Sequence, residues 1–215
     1  MTALEYMSNQ GINLSDEING VIYVGANTGQ EMKYLINMGL NHLVFFEPQP
    51  DSFESLKENA KKYGTRVIVE NKAVGNIKGE MKLHIAANNG LSSSLLKPTE
   101  IHHQKYRISF TSEILVPVVR LDDYIKNPEY YNFLMIDVQG FELEVLKGSV
   151  NLLKNNIDYI MSEVNSVHLY ENGVLLEELE DFLLQYNFKR IYISRDVEKM
   201  RKRQGYGDAL YKKEK

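Results

Sequence analysis

Five stretches of this chain carry residue types that could do chemistry together. The first is Gly25-Ala26-Asn27-Thr28-Gly29, directly after the apolar run "VIYV". Small residues there let a backbone approach a ligand closely, and a following helix offers unpaired N–H groups. The second is Glu47, which ends the run "LVFF" 22 residues after Gly25 and precedes the rigid Pro48. A carboxylate in that place can accept both hydroxyls of a ribose. The third is Asp137, at the end of "NFLMI". Partial burial after an apolar strand would raise its pKa towards that of a general base. The fourth is Glu163 and Asn165 in "SEVN", and the fifth is His168 on the loop beyond.

Each also has a plainer reading. G-x-x-x-G fits any tight strand-to-helix turn, and Asp137 could simply cap the helix that follows. Three oxygens from Asp137, Glu163 and Asn165 could hold Mg²⁺, but a hydrogen-bonded network is the commoner use of such groups. No metal site is therefore assigned, with Mg²⁺ kept as a disfavoured alternative. The dinucleotide fingerprint G-x-G-x-x-G is not met, because Asn27 and Gln30 stand where glycines would be needed. A wider turn suits a nucleoside ligand without a pyrophosphate, such as S-adenosylmethionine.

The elements that must position these residues can be read from hydrophobic period. Strands are expected over 20–25, 42–48, 66–75, 80–87, 131–140 and 158–164, and 114–125 reads as a strand stopped by a short helix. Helices are expected over 28–39, 51–64, 141–156 and 174–187. The 51–64 helix would be capped by Asp51 or Ser52 and closed by Gly64. Residues 188–194 and 208–213 read as an antiparallel closing pair. Alternating strands and helices imply an α/β fold with a mostly parallel sheet and helices on both faces. Ligands then bind beyond the carboxyl ends of the strands. Residues 88–112 are polar and irregular. They read as a mobile substrate loop, carrying "NNGLSSSLL" (88–96) and His102, His103, Tyr106 and Arg107.

Composition excludes little but bounds the rest. The 215 residues suit one domain spanning 1–215, with 1–19 as an N-terminal extension. A net charge of −4 gives no global pull towards nucleic acid or an anionic membrane. The chain has no cysteine, so disulfides and thiolate metal sites are ruled out. Neither a leader nor a membrane span is visible, and a cytoplasmic location is expected. The tail from Arg195 to Lys215 has eight basic and four acidic residues. It reads as a solvated turn, with attraction of a phosphorylated acceptor as the alternative.

The stretches "VGANTGQ", "FFEPQPDSFESLKEN", "NKAVGN", "LDDYI" and above all "MIDVQGFELEVLKGS" resemble the FkbM-type methyltransferases. The resemblance runs in order from about Ile22 to Glu163. It implies a Rossmann-like class I methyltransferase fold, with a seven-stranded sheet and an antiparallel C-terminal hairpin. It also implies S-adenosylmethionine as methyl donor and O-methylation of a small polar acceptor, a sugar or a secondary metabolite. Carried over position by position, it places Gly25, Ala26, Asn27 and Gly29 against the methionine and ribose parts, and Glu47 with Pro48 at the ribose. Asn71 and Ala73 would border the adenine, and Asp137 would face the methyl group. Glu163 and His168 join Asp137 as candidate catalytic residues.

Tyr23 departs from the pattern, because the family usually has an acid there. A phenol carries no charge at neutral pH. Weaker cofactor binding, or a binding protein without activity, is the corresponding alternative. An NAD-dependent oxidoreductase and a nitrogen or nucleic-acid methyltransferase are the other rivals.

Overall fold

The computed structural model describes Leu4, residues 16–194 and residues 205–214. Most of the expected N-terminal extension, and the basic stretch 195–204, lie outside the described residues.

The central strands form because their side chains are apolar on both faces. Strand β2 (Leu43–Phe46) and strand β7 (Phe133–Ile136) are buried at every position. That continuous burial is the signature of parallel strands covered on both sides. Strand β1 (Val21–Val24) lies between them, in register Val21 with Leu43 and with Phe133. Residues alternate across the sheet. Ile22, Val24, Val44, Phe46, Leu134 and Ile136 enter one core, while Val21, Leu43, Phe45, Phe133 and Met135 enter the other.

The main sheet has seven strands in the order β3-β2-β1-β7-β8-β10-β9. Strand β3 is Val67–Glu70, β8 is Tyr159–Asn165, β9 is Phe188–Ile193 and β10 is Tyr206–Lys213. β10 runs antiparallel to both neighbours and places Asp208 opposite Glu163. The expected parallel sheet and its antiparallel closing pair are thus both present. The order reverses beside β1, so the crevice beyond β1 and β7 is where a ligand is expected.

A second sheet was not foreseen. β4 (Ala73–Val74), β5 (Gly79–Ala86) and β6 (Phe110–Val119) form a three-stranded unit in the order β4-β6-β5. Period-2 alternation marks a strand but not the sheet it joins, so the expected 66–75 strand divides between the two sheets. Residues 88–112 are also ordered, against expectation. Ser94 bridges to His84, Glu100–Tyr106 is a helix, and β6 already starts at Phe110.

Helix boundaries shift for local reasons. The helix Met32–Asn37 (α1) begins after a series of turns. The helix Pro50–Ala60 (α2) starts earlier than expected, with Pro50 in its first turn and Gln49 rather than Asp51 or Ser52 at its cap. It ends at Ala60 in a 3₁₀ turn that contains Gly64. The expected 141–156 helix is two helices, Glu142–Lys147 and Val150–Asn155. Between them Gly148 packs directly on the Gly75 carbonyl, where a side chain would collide. The Asp122 carboxylate then accepts from Asn151 N (2.9 Å) and Leu152 N (3.0 Å), which caps the second helix. Among the described residues no helix is long and apolar enough to cross a membrane.

Candidate active site

The turn after β1 is built around Gly25. Its φ of +81° suits glycine, and a Cβ would overlap the Asp137 carbonyl oxygen. Gly25 N and Ala26 N both donate to the Phe46 carbonyl, at 2.9 and 3.0 Å. The turn is thereby tied to the ends of β2 and β7 at once. Gly25, Ala26 and Asn27 line a cavity with Glu47, Pro48 and Asp137. Gly29 does not line it and packs behind, against Leu56 and Met32.

Glu47 is 6% exposed and gathers two backbone donors. Asn27 N reaches its Oε2 and Gln49 N its Oε1, each at 2.8 Å. Burial pushes its pKa up to about 7; those two hydrogen bonds pull against burial, and the Asp137 carboxylate adds to it. Each oxygen keeps a lone pair for a ligand hydroxyl. Asn71 is not in the cavity wall. Its Nδ2 donates to the carbonyls of Glu47 (2.9 Å) and Pro48 (3.1 Å), so it shapes the turn that presents Glu47. Ala73, Val74 and Leu83 of the second sheet line the cavity, as does Phe141. Gly90, Leu91, Ser93 and Ser94 line it from the 88–96 segment. Ser93 Oγ donates to Gln49 Oε1 at 2.8 Å, which fastens this segment over the Glu47 turn.

Asp137 and Glu163 are joined by Gln139. The Gln139 Nε2 donates to Asp137 Oδ1 at 2.8 Å and to Glu163 Oε2 at 2.9 Å. Its Oε1 lies 3.1 Å from the Tyr170 hydroxyl, which also reaches the Ser92 carbonyl at 2.9 Å. Its backbone carbonyl accepts from Ser94 Oγ at 2.8 Å. Gln139 carried no signal in the sequence, because a polar residue after a strand suits any turn; its φ of +57° marks it in the structure.

The Asp137 carboxylate opens to solvent within the crevice, yet protein crowds it on the other sides. That crowding pushes its pKa up to about 6; the Gln139 hydrogen bond opposes the rise and Asp208 adds to it. Glu163 is held well above the usual carboxylate range, by burial first and then by Asp137, Glu142 and Asp208. Among the described residues no group of three or more His, Cys, Asp or Glu is arranged to hold a metal. The Gln139 amide stands between the two carboxylates.

Tyr23 lines the same cavity as Glu47 and Asp137. Its ring tilts against Phe45, with centroids 5.8 Å apart. Burial and the carboxylates of Asp137, Glu31 and Asp208 keep the phenol firmly protonated. Tyr23, Gln30, Leu91, Asp137 and Gln139 also line an adjoining crevice. His168 lies in neither space. It is exposed, and its Nδ1 sits 3.0 Å from the Gly173 carbonyl. Asn165 shares a small recess with it, apart from Asp137.

A glycine turn after β1, an acid after β2 and an acid after β7, on the sheet order found here, are the features to compare with known proteins. The Methyltransferase FkbM domain profile matches residues 24–190. The chain belongs to this family. Three similar proteins can be set beside it. The hexuronic acid methyltransferase AglP of Haloferax volcanii is 26% identical over 126 residues, covering 56% of this chain and 46% of AglP. The FkbM methyltransferase of Methylobacillus flagellatus superposes with a TM-score of 0.63 at 16% identity, covering 96% of this chain and 46% of that one. A putative tRNA (m1A22) methyltransferase from Streptococcus pneumoniae shares the fold, with a TM-score of 0.54 at 10% identity over 100% of this chain and 72% of that one. This FkbM-type chain spans about half the length of the first two.

Proposed function

We propose that this protein transfers the methyl group of S-adenosylmethionine to a hydroxyl of a small polar acceptor of the sugar class. The observation that carries the reading is that Glu47 and Asp137 line one cavity with the Gly25 turn between them. The residues present fit an adenosine-bearing ligand. Glu47 would accept the ribose hydroxyls, and Ala73, Val74, Leu83 and Phe141 offer an apolar surface for the base. Bound there, S-adenosylmethionine supplies a methyl group already activated by its positive sulfur.

An alcohol needs to lose its proton as it attacks. Asp137 would take it, since its pKa of about 6 leaves it ionised at neutral pH. The acceptor oxygen forms the new bond to carbon, the carbon–sulfur bond breaks, and the proton passes to Asp137. Gln139 keeps the carboxylate oriented. Tyr23, being neutral, would offer the cofactor a hydrogen bond rather than a charge. His168 takes no part, because it stands outside both spaces.

AglP is named for a hexuronic acid, which supports a sugar acceptor as a class. The test is calorimetry with S-adenosylhomocysteine, followed by transfer from isotopically labelled donor to a sugar panel. Heat at micromolar ligand and label in a sugar methyl ether are expected. No heat at millimolar ligand would sink the proposal. Chelation should leave turnover unchanged.

A further inference from the structure

Tyr170 touches the groups around Asp137 from outside both spaces. It lies on the loop after β8, is 1% exposed, and lines neither the cofactor cavity nor the adjoining crevice. Its ring packs on the Gly140 backbone, where a Cβ would lie 3.2 Å from the ring. That close approach brings the phenol tip to the neighbouring Gln139. The loop itself is tied down on both sides of Tyr170. Glu171 N donates to the Lys97 carbonyl at 2.8 Å, and Thr99 N donates to the Leu169 carbonyl at 2.9 Å.

Three groups meet at the hydroxyl. The Ser92 carbonyl lies at 2.9 Å, Gln139 Oε1 at 3.1 Å and His102 Nε2 at 3.4 Å. The two carbonyl oxygens only accept, and a phenol has one proton to give. Burial first, and Glu163 next, hold that proton firmly on the oxygen. Gln139 Nε2 has two hydrogens, and it directs them at Asp137 and Glu163. The amide oxygen is therefore turned to Tyr170. One phenol proton stands between the amide that holds the base and the segment over the cofactor cavity.

We infer that Tyr170 is a positioning residue: it fixes the Gln139 amide with both hydrogens on the carboxylates, and ties that orientation to Ser92 over the cofactor cavity and to His102 on the crevice wall. This rests on Asp137 being the base, as proposed above, and adds what aligns it. The last torsion of a glutamine is soft. Without the phenol the amide turns about it, and Asp137 loses its donor for part of the time. Asp137 shares its surroundings with Tyr23 of β1, Glu31 before α1, Glu47 after β2, Glu142 in the next helix, Glu163 on β8 and Asp208 on β10. Tyr170→Phe alters the charge of none of them, and the phenol it removes is itself neutral.

Tyr170→Phe, Gln139→Leu and the double variant form the test. Tyr170→Phe should lower the single-turnover rate about fivefold at neutral pH, as the loss of one neutral hydrogen bond allows. It should move the acid limb of the rate profile to higher pH, by less than Gln139→Leu does. The double variant should move it no further than Gln139→Leu alone, because Tyr170 acts through the amide. The same order should appear without turnover in a carbon NMR titration of the Asp137 carboxyl, assigned by its absence from Asp137→Asn. Heat from S-adenosylhomocysteine, nearly unaltered, reports that each variant is folded. An acid limb that stays in place in Tyr170→Phe overturns the inference, and so do shifts that add in the double variant. If the native protein transfers no label, the methyltransferase reading falls and the carboxyl titration still decides: an Asp137 raised by Tyr170→Phe supports the alignment, and an unmoved one overturns it.

Discussion

At the scale of single residues the site turns on how two carboxylates are kept apart in function. Asp137 and Glu47 both line the cofactor cavity, and both are raised towards neutrality by burial. Asp137→Asn keeps the size of the side chain and removes the base. Turnover should fall by about 10²–10⁴-fold, the usual worth of a positioned base. Single-turnover label transfer checks this, and calorimetry should find cofactor affinity nearly unaltered. Gln139 lowers the Asp137 pKa by donating to it. Gln139→Leu removes that donor and leaves Asp137 facing Glu163 alone. The acid limb of the rate profile, which lies near pH 6 in the native protein if Asp137 is the base, should then move to higher pH. A limb that stays in place would show that Gln139 does not govern the base. Glu47 should act on binding instead. Its ionised form is the better acceptor for ribose hydroxyls, so affinity for S-adenosylhomocysteine should drop as pH falls through about 7. Glu47→Gln should flatten that dependence and bind more weakly at every pH above it.

At the scale of elements the short helix Glu100–Tyr106 carries two walls of the crevice beside Asp137, His102 and Tyr106. Only seven residues long, it depends on its ends. Thr99 accepts from His102 N and donates to the carbonyls of the 168–169 turn, at 2.8 and 3.0 Å. Thr99→Ala should cost about 1 kcal/mol, the typical worth of such a cap, measured by urea unfolding. It should raise KM for the acceptor more than it changes affinity for the cofactor. This helix also marks what the sequence could not convey. "EIHHQKY" has one apolar residue, Ile101, and that one is exposed. Its buried face is made by His102, so hydrophobic period gives no hint of it. By contrast "VIYV", "LVFF" and "FLMI" declare buried strands by composition alone, and the chemistry after each strand follows from position. Gly25, Glu47 and Asp137 were legible for that reason. Gln139, Glu31 and Asp208 were not, because their meaning comes from neighbours distant in the chain. The pairing of Asp208 with Glu163 follows only once the register of β10 is known.

At the scale of the whole molecule an unremarkable charge of −4 conceals a concentrated one. Glu47, Asp137, Glu142 and Glu163 all have pKa values raised in the fold, chiefly by burial: to about 7 for Glu47 and Glu142, to about 6 for Asp137, and upward for Glu163. Each holds its proton in the folded state at a pH where the unfolded chain has already lost it. The stability they contribute is therefore complete below the unfolded carboxylate range, about pH 4, and is lost as pH rises through about 6–7. His102 works in the opposite direction. Its lowered pKa means that acid favours the unfolded chain below about pH 6.5, where the free imidazole takes a proton that the buried one refuses. The two trends predict a thermal midpoint that climbs as pH is lowered from about 8 towards about 4, less steeply below about 6.5 where His102 opposes the four carboxylates. Glu142 is wholly buried, and its Oε2 has no partner among the described residues. Glu142→Gln should make the climb shallower, because one of the four protonations is removed. A cation placed beside Asp137 would ease the ionisation of the remaining carboxylates. S-adenosylmethionine should thus raise the midpoint more at high pH than at low pH, and more than S-adenosylhomocysteine does at high pH, since only the former carries the sulfonium charge. A midpoint that instead rises with pH through this window would mean that these carboxylates are ionised and paired in the folded protein, and the charge assigned to both cavities would have to be withdrawn.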